Sequence, residues 1–178
     1  MTLDNSIGQT SNRRIALIAS VVVLLDQITK FLVLRLLRYA EENVVIDGFF
    51  KFVHWGNTGA AWSFFRGNNG ALAVVALAAL VILFMTRHHF DSNTCSGRIA
   101  LGLIFGGIIG NLIDRLRVGH VIDFLYFYVN SGGKEIGFPA FNVADSAICT
   151  GVTLILLATW RTERNVRPQT EPSQHPSP

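Results

Sequence analysis

Two aspartates stand where an apolar chain has little ordinary use for a charge. Asp123 lies in Val121-Ile122-Asp123-Phe124 and Asp145 in Phe141-Asn142-Val143-Ala144-Asp145, each at the edge of apolar sequence. An acid at the centre of a spanning helix costs roughly 2.5–3.5 kcal/mol on insertion scales, so an acid in or beside hydrocarbon calls for a partner or a function. Two carboxyl groups converging on one face can share a proton and activate water, as the aspartic-protease dyad does. No Ser-His elbow and no His-Glu-x-x-His run offers a competing hydrolytic chemistry, and His54 and His120 adjoin no nucleophile elbow. The expected chemistry is acid–base hydrolysis inside a membrane, with no metal and no cofactor.

The pair must be brought together by the elements around it. Four apolar segments stand out, Ile15–Leu37, Ala71–Thr86, Ile99–Ile113 and Ala144–Trp160. At 1.5 Å per residue the first spans about 34 Å and the others about 22–26 Å, so the shorter ones are expected to extend a few residues. Arg13 and Arg14 precede the first, Arg87 and Arg98 bracket the second connection, and Arg161, Arg164 and Arg167 follow the fourth. Four spans put these three clusters on one side, which the positive-inside bias makes cytoplasmic, with both termini inside. The remaining connections, about Arg38–Gly70 and Leu116–Asn142, then face outward. Asn43–Trp55 is rich in Val, Ile and Phe around an Asp47-Gly48 turn and reads as a small antiparallel sheet on the outer membrane surface. The expected fold class is an α-helical membrane protein of four transmembrane helices with a small extracytoplasmic sheet at about 41–66. It forms a single domain over 1–164, followed by a polar, Pro-containing, disordered tail over 165–178.

On this topology, Asn111, Asp114 and Arg115 end the third helix on the outer side and Asn142 and Asp145 begin the fourth there. Asp26 sits in the middle to outer part of the first helix, and Asn57 and Asp123 belong to the outer connections. Each has a bland reading. Asn142 and Asp145 have the spacing of an N-cap and its N3 partner, where an acid also suits the helix dipole. Arg115 and Arg117 suit a helix C-terminus, whereas Asp114 does not and needs a cation, Arg115 or another base. Asp26 and Lys30, four apart, can pair on one helix face. Asp123 alone would be a turn residue, and Asn57 and Asn111 could simply join helices by hydrogen bonds. What favours a site is the sum, since a fold needs one or two polar links between helices rather than this many polar residues at one level. Gly102, Gly106 and Gly110, with Ala147 and Gly151, form small-residue stripes suited to close helix packing.

Composition sets the bounds. The 178 residues are 50% hydrophobic and 15% charged, with a mean hydropathy of +0.39, against about 25% charged in soluble domains. The net charge of +3 and pI of 9.2 come from arginines at the ends of apolar blocks rather than from a continuous patch, which argues against nucleic acid. Cys95 and Cys149 fall in different kinds of segment, so neither a disulfide nor a metal site is expected, and His88-His89 reads as a solvated pair. Arg13-Arg14 with Ile15–Leu25 imitates a signal peptide, but the apolar run continues past Asp26 and Lys30 without a small-residue cleavage site. The alternative function is a small proton- or cation-coupled transporter. It would need acids or polar breaks on the inner half as well, and the second and fourth segments show none there.

Five blocks in order, Asp26-Gln27-Ile28-Thr29-Lys30, Asn57-Thr58-Gly59-Ala60-Ala61, Gly107–Arg115, Val121–Phe124 and Phe141–Asp145, carry a further message. Over about Asp26 to Trp160 the chain resembles the bacterial lipoprotein signal peptidases, the type II signal peptidases. The resemblance implies an inner-membrane aspartyl endopeptidase that cleaves a prolipoprotein's signal peptide just before a diacylglyceryl-modified cysteine, its site towards the periplasm. It implies Asp123 and Asp145 as the catalytic dyad, with Asp26, Asn57, Asn111, Asp114, Arg115 and Asn142 as the supporting and substrate-contacting shell. The expected partners are the diacylglyceryl prolipoprotein and membrane lipid, with the enzyme a monomer. The chain departs from the pattern at Trp62 and Phe138, where Phe and Trp respectively are expected, and in a long loop at Val129–Gly137.

Overall fold

The computed structural model of the chain describes residues 2–59, 67–90 and 94–166. In chain order the elements are α1 (Thr2–Leu36), β1 (Glu42–Ile46), β2 (Phe50–Asn57), α2 (Asn69–Thr86), a 3-10 turn (Arg87–His89), α3 (Cys95–Arg117), β3 (Val121–Ser131), β4 (Lys134–Gly137) and α4 (Val143–Val166). Four helical stretches are long and apolar enough to cross a membrane: Ser11–Leu36, Asn69–His89, Cys95–Arg117 and Val143–Arg161. The four apolar segments of the sequence are these helices, each longer at one end or both. Trp62, Arg167 and the polar segment from 167 onward lie outside the described residues; α4 itself runs through Asn165 and Val166.

The helix starts have local causes. The Asn68 side chain accepts from Ala71 N at 3.3 Å ahead of α2, and Thr94 Oγ1 accepts from Gly97 N at 3.0 Å ahead of α3. α3 is the central helix, packed against α1, α4 and α2. Lipid does not drive apolar helices together, so contact depends on how closely the backbones can approach. Gly102 and Gly106 sit against Ile18, Ala19 and Val22 of α1, and Gly110 against Asp26. The opposite side of α3 packs on α4, with Gly107 against Ala144 and Gly151 of α4 against Ala100 and Ile104. The glycine stripe is thus the α1–α3 seam.

The sheet corrects two expectations. It is four-stranded, order β1-β2-β3-β4 and antiparallel throughout, so it draws on both outer connections rather than on Asn43–Trp55 alone. Residues 129–137, expected as a long loop, are the β3–β4 hairpin, with Val129 opposite Ile136 and Ser131 opposite Lys134. The reason is the turn: Gly132 and Gly133 take φ of +58° and +74°, the left-handed pair that a two-residue hairpin turn needs. Lys51 rivets the sheet by ion pairs of 2.6 Å to Glu42 on β1 and 2.8 Å to Glu135 on β4. The Tyr126 and Tyr128 rings of β3 face the same ammonium at 5.1 and 4.7 Å.

At Gly106 a Cβ would stand 2.6 Å from Val22 Cβ and 2.8 Å from the Ala19 carbonyl oxygen, whereas at Gly70 it would meet nothing within 4 Å. Gly106→Val is therefore expected to lose about 1–3 kcal/mol through overpacking, seen as a lower melting temperature in detergent. Gly70→Ala should melt no lower than the parent protein. Equal melting of all three would mean that α1 and α3 can separate without cost.

Candidate active site

Two segments distant in sequence are laced together at the sheet end of the bundle. Phe141 O accepts from Phe124 N and Leu125 N at 3.1 and 2.9 Å, and Phe141 N donates to Leu125 O at 3.1 Å. This short ladder sets the start of α4 against β3, so Asn142 meets Asp123. Asn142 Nδ2 donates to Asp123 Oδ1 at 2.8 Å, and Asn57 Nδ2, from the end of β2, donates to Asp123 Oδ2 at 2.9 Å. Asp123 is therefore a strand residue, buried and opposite Trp55 in the ladder. It is not in a loop, as the sequence suggested. Its strand neighbours Val121, Ile122 and Phe124 are buried with it.

Asp145 occupies the first turn of α4. Its backbone N–H donates to Asn142 Oδ1 at 2.9 Å while its Oδ2 accepts from Asn142 N at 3.2 Å, a reciprocal cap. Its other oxygen accepts from Asn111 Nδ2 on α3 at 2.8 Å. The capping reading and the site reading of Asn142 and Asp145 are thus both fulfilled by one geometry. Asn142, fully buried, touches both carboxylates and is the hinge between them.

Behind the pair lies an ion cluster. Lys30 Nζ is 2.8 Å from Asp26 Oδ2, 2.7 Å from Asp114 Oδ2 and 3.0 Å from Asn111 Oδ1. The cation that Asp114 requires is thus Lys30, not Arg115. Asp26 Oδ1 accepts from Ala144 N at 3.0 Å and Asp114 Oδ2 accepts from Ile122 N at 3.2 Å. Gln27, which nothing in the sequence singles out for a role, donates to Asp26 at 3.2 Å and Asp114 at 3.0 Å. Its signal was its place on α1, three residues before Lys30 and so on the same face.

A groove of about 940 Å³ opens over the two carboxyl groups. Asn57, Asn111 and Arg115 line its polar side with Asp123 and Asp145; Trp55, Phe138, Phe141 and Ile148 line its apolar side. Arg115 Nη2 donates to Gly59 O at 3.2 Å, while its buried Nη1 has no hydrogen-bond partner among the described residues. All eight residues singled out from the sequence therefore meet in one region, six of them in or beside the groove and Asp26 and Asp114 beneath it. Among the described residues no three His, Cys, Asp or Glu side chains gather as a metal-ligand set.

The electrostatics of Asp123 are those of a proton holder. Burial, then the Asp145 carboxylate, pushes Asp123 up from 3.8 to about 7, against the opposing pull of the Asn57 and Asn142 donors. A carboxyl group with that value carries a proton for much of the time at neutral pH. With Asp145 lining the same groove, the two carboxyl groups offer the pieces that general acid and general base catalysis require.

Known proteins resemble the chain over most of its length. The profile of the family described as signal peptidase (SPase) II matches residues 18–161. A lipoprotein signal peptidase of Syntrophotalea carbinolica is 41% identical over 154 residues, covering 84% of this chain and 92% of the relative. That of Geobacter metallireducens is 42% identical over 158 residues, 85% and 93% of the two chains. A solved bacterial membrane enzyme superposes with a TM-score of 0.70 at 31% identity, covering 93% of this chain and 95% of that one. A second, at 33% identity, gives 0.68 over 85% and 92%. With matches of this length enclosing every residue of the groove, the chain belongs to the bacterial signal peptidase II family and is a membrane-embedded aspartic peptidase.

Proposed function

We propose that Asp123 and Asp145 are the catalytic pair of this enzyme and that they cut the signal peptide from diacylglyceryl-modified prolipoproteins immediately before the lipidated cysteine. The observation that carries the reading is the asymmetry of the two acids within one groove. Asp123 is buried and raised to about 7, whereas Asp145 is held by Asn111 Nδ2 and a backbone N–H at a helix start. Asp145 takes a proton from water as the water oxygen bonds to the scissile carbonyl carbon. Asp123 gives its proton to the carbonyl oxygen. As the tetrahedral intermediate collapses, one of its two hydroxyls returns a proton to Asp123, the C–N bond breaks and the leaving amine receives the proton held by Asp145, so the carboxylic acid forms and both acids regain their starting states. The free Arg115 Nη1 and the Asn57 and Asn111 side chains supply polar contacts for the peptide in the extended groove.

The peptidase unit runs over 1–164, with the polar 165–178 segment outside it. The arginine distribution supports a periplasmic site with both termini in the cytoplasm, and the enzyme acts as a monomer. The apolar wall of Phe138, Phe141 and Ile148 suits a substrate whose acyl chains remain in lipid beside the bundle.

Asp123→Asn and Asp145→Asn should each abolish release of signal peptide from a diacylated prolipoprotein, at least a thousandfold, while melting near the parent temperature. Turnover by either variant at matched protein would remove that residue from the mechanism. The rate should be bell-shaped in pH, with its basic limb near 7 as Asp123 loses its proton. Asn57→Ala removes a donor that favours the ionised form of Asp123, so that limb should move up by about one pH unit; a downward move contradicts the assignment. Each acyl methylene buried is worth about 0.8 kcal/mol, so an unmodified precursor should be cleaved far more slowly than the diacylated one. Equal rates would sink the proposed lipid recognition.

A further inference from the structure

Lys30 touches neither member of the pair, yet its contacts reach both. An ammonium has three donors and no acceptor, and the three are used on Asp26, Asp114 and Asn111. A carboxamide has one accepting and one donating end, so a cation at one end decides what the other presents. Asn111 Oδ1 receives Lys30 Nζ, and also Asn142 Nδ2 at 3.2 Å, which leaves Nδ2 for Asp145. Asn57 is oriented in the same way, but only by the Gly59 backbone N–H at 2.9 Å. Asn142 serves both acids, by its side chain to Asp123 and its backbone N–H to Asp145, so the difference lies in the other donor of each: Asn111 to Asp145 is backed by a full positive charge and Asn57 to Asp123 by a peptide dipole. Hydrogen bonds in series polarise one another, so this difference is passed on to the two acids.

We propose that Lys30 is a positioning residue for the hydrolysis: by locking the Asn111 carboxamide with Nδ2 towards Asp145, it assigns the ionised role to Asp145 and leaves the proton to Asp123. The inference rests on Asp123 and Asp145 being the catalytic pair. The charged groups that face Lys30 are Asp26 on its own helix, Asp114 on α3, and Arg117 of α3 in the small cleft they line together. Beyond Asn111 and Asn142 lie Asp145 on α4 and Asp123 on β3, with Arg115 of α3 across the groove.

A merely structural Lys30 would neutralise Asp26 and Asp114 and nothing more, and the pH profile separates the two roles. Lys30→Met, Lys30→Arg and the double variant Lys30→Met/Asp114→Asn, which leaves the charge of the cluster unchanged, are assayed on a diacylated prolipoprotein between pH 4 and 9. Asp145→Asn runs beside them. Both Met-containing variants should lose about tenfold or more in kcat with KM within about twofold, and their acid limb should rise by about one pH unit. Lys30→Arg, which keeps charge and donors, should restore the limb. If Lys30→Met does not fold, the double variant decides. A parental acid limb in the folded double variant, or its failure to fold despite the unchanged charge, overturns the proposal. Turnover by Asp145→Asn would instead overturn the catalytic pair itself, so the two failures are distinct.

Discussion

The site hangs from one buried cation. Lys30 is 2% exposed, and burying a charge is costly unless every donor is met. Here the three donors find two carboxylates and an amide, and each of those carboxylates in turn holds backbone, Asp26 by its second oxygen and Asp114 by the oxygen that Lys30 also meets. Asp26 grips Ala144 N at the start of α4, and Asp114 grips Ile122 N beside Asp123. One ion cluster therefore fixes α1, α3, α4 and β3 to one another at the level of the groove. The glycine seams make this possible, because only backbones in contact bring side chains this short within hydrogen-bond distance. A cluster of this kind is weak evidence for stability; its value lies in the single arrangement it permits for the residues above it.

That arrangement makes two identical side chains unlike. Asp145 inherits a helix start and an amide backed by Lys30, while Asp123 is pressed into a buried strand position beside another acid. The carboxyl group that is costly to ionise is the one that can hold a proton at neutral pH, and on the proposed mechanism that local expense is what equips it for acid catalysis. Asn142 makes the two acids a unit, for its side chain serves Asp123 and its cap serves Asp145. Changes at Asn142 therefore strike both acids and the fold together.

Much of this was legible in the residues. Apolar length marks the four helices, the Asn142–Asp145 spacing marks a capping box, and the level of the polar residues along each helix marks one end of the bundle. What escaped was long-range. Asp123 reads as a turn residue because a single strand among aromatic residues has no local mark of its partner, and β3 pairs with β2 some 70 positions earlier. The Gly132-Gly133 turn was the available clue to the hairpin. Lys30 was hidden for a different reason: its i,i+4 partner Asp26 satisfies a local rule, so nothing in the sequence asks for the second carboxylate or for Asn111. Gln27 likewise shows its use only once α1 lies against α3.

On the proposed mechanism the two acids divide one proton unequally, and carbon-13 NMR of carboxyl-labelled aspartate in the intact protein measures that division directly. Asp123→Asn and Asp145→Asn samples assign the signals. A carboxyl resonance should titrate near pH 7 and be missing from Asp123→Asn, while the Asp145 resonance keeps its ionised position through that transition. A resonance titrating near 7 that belongs to Asp145, or two carboxylates fully ionised at pH 6, would contradict it.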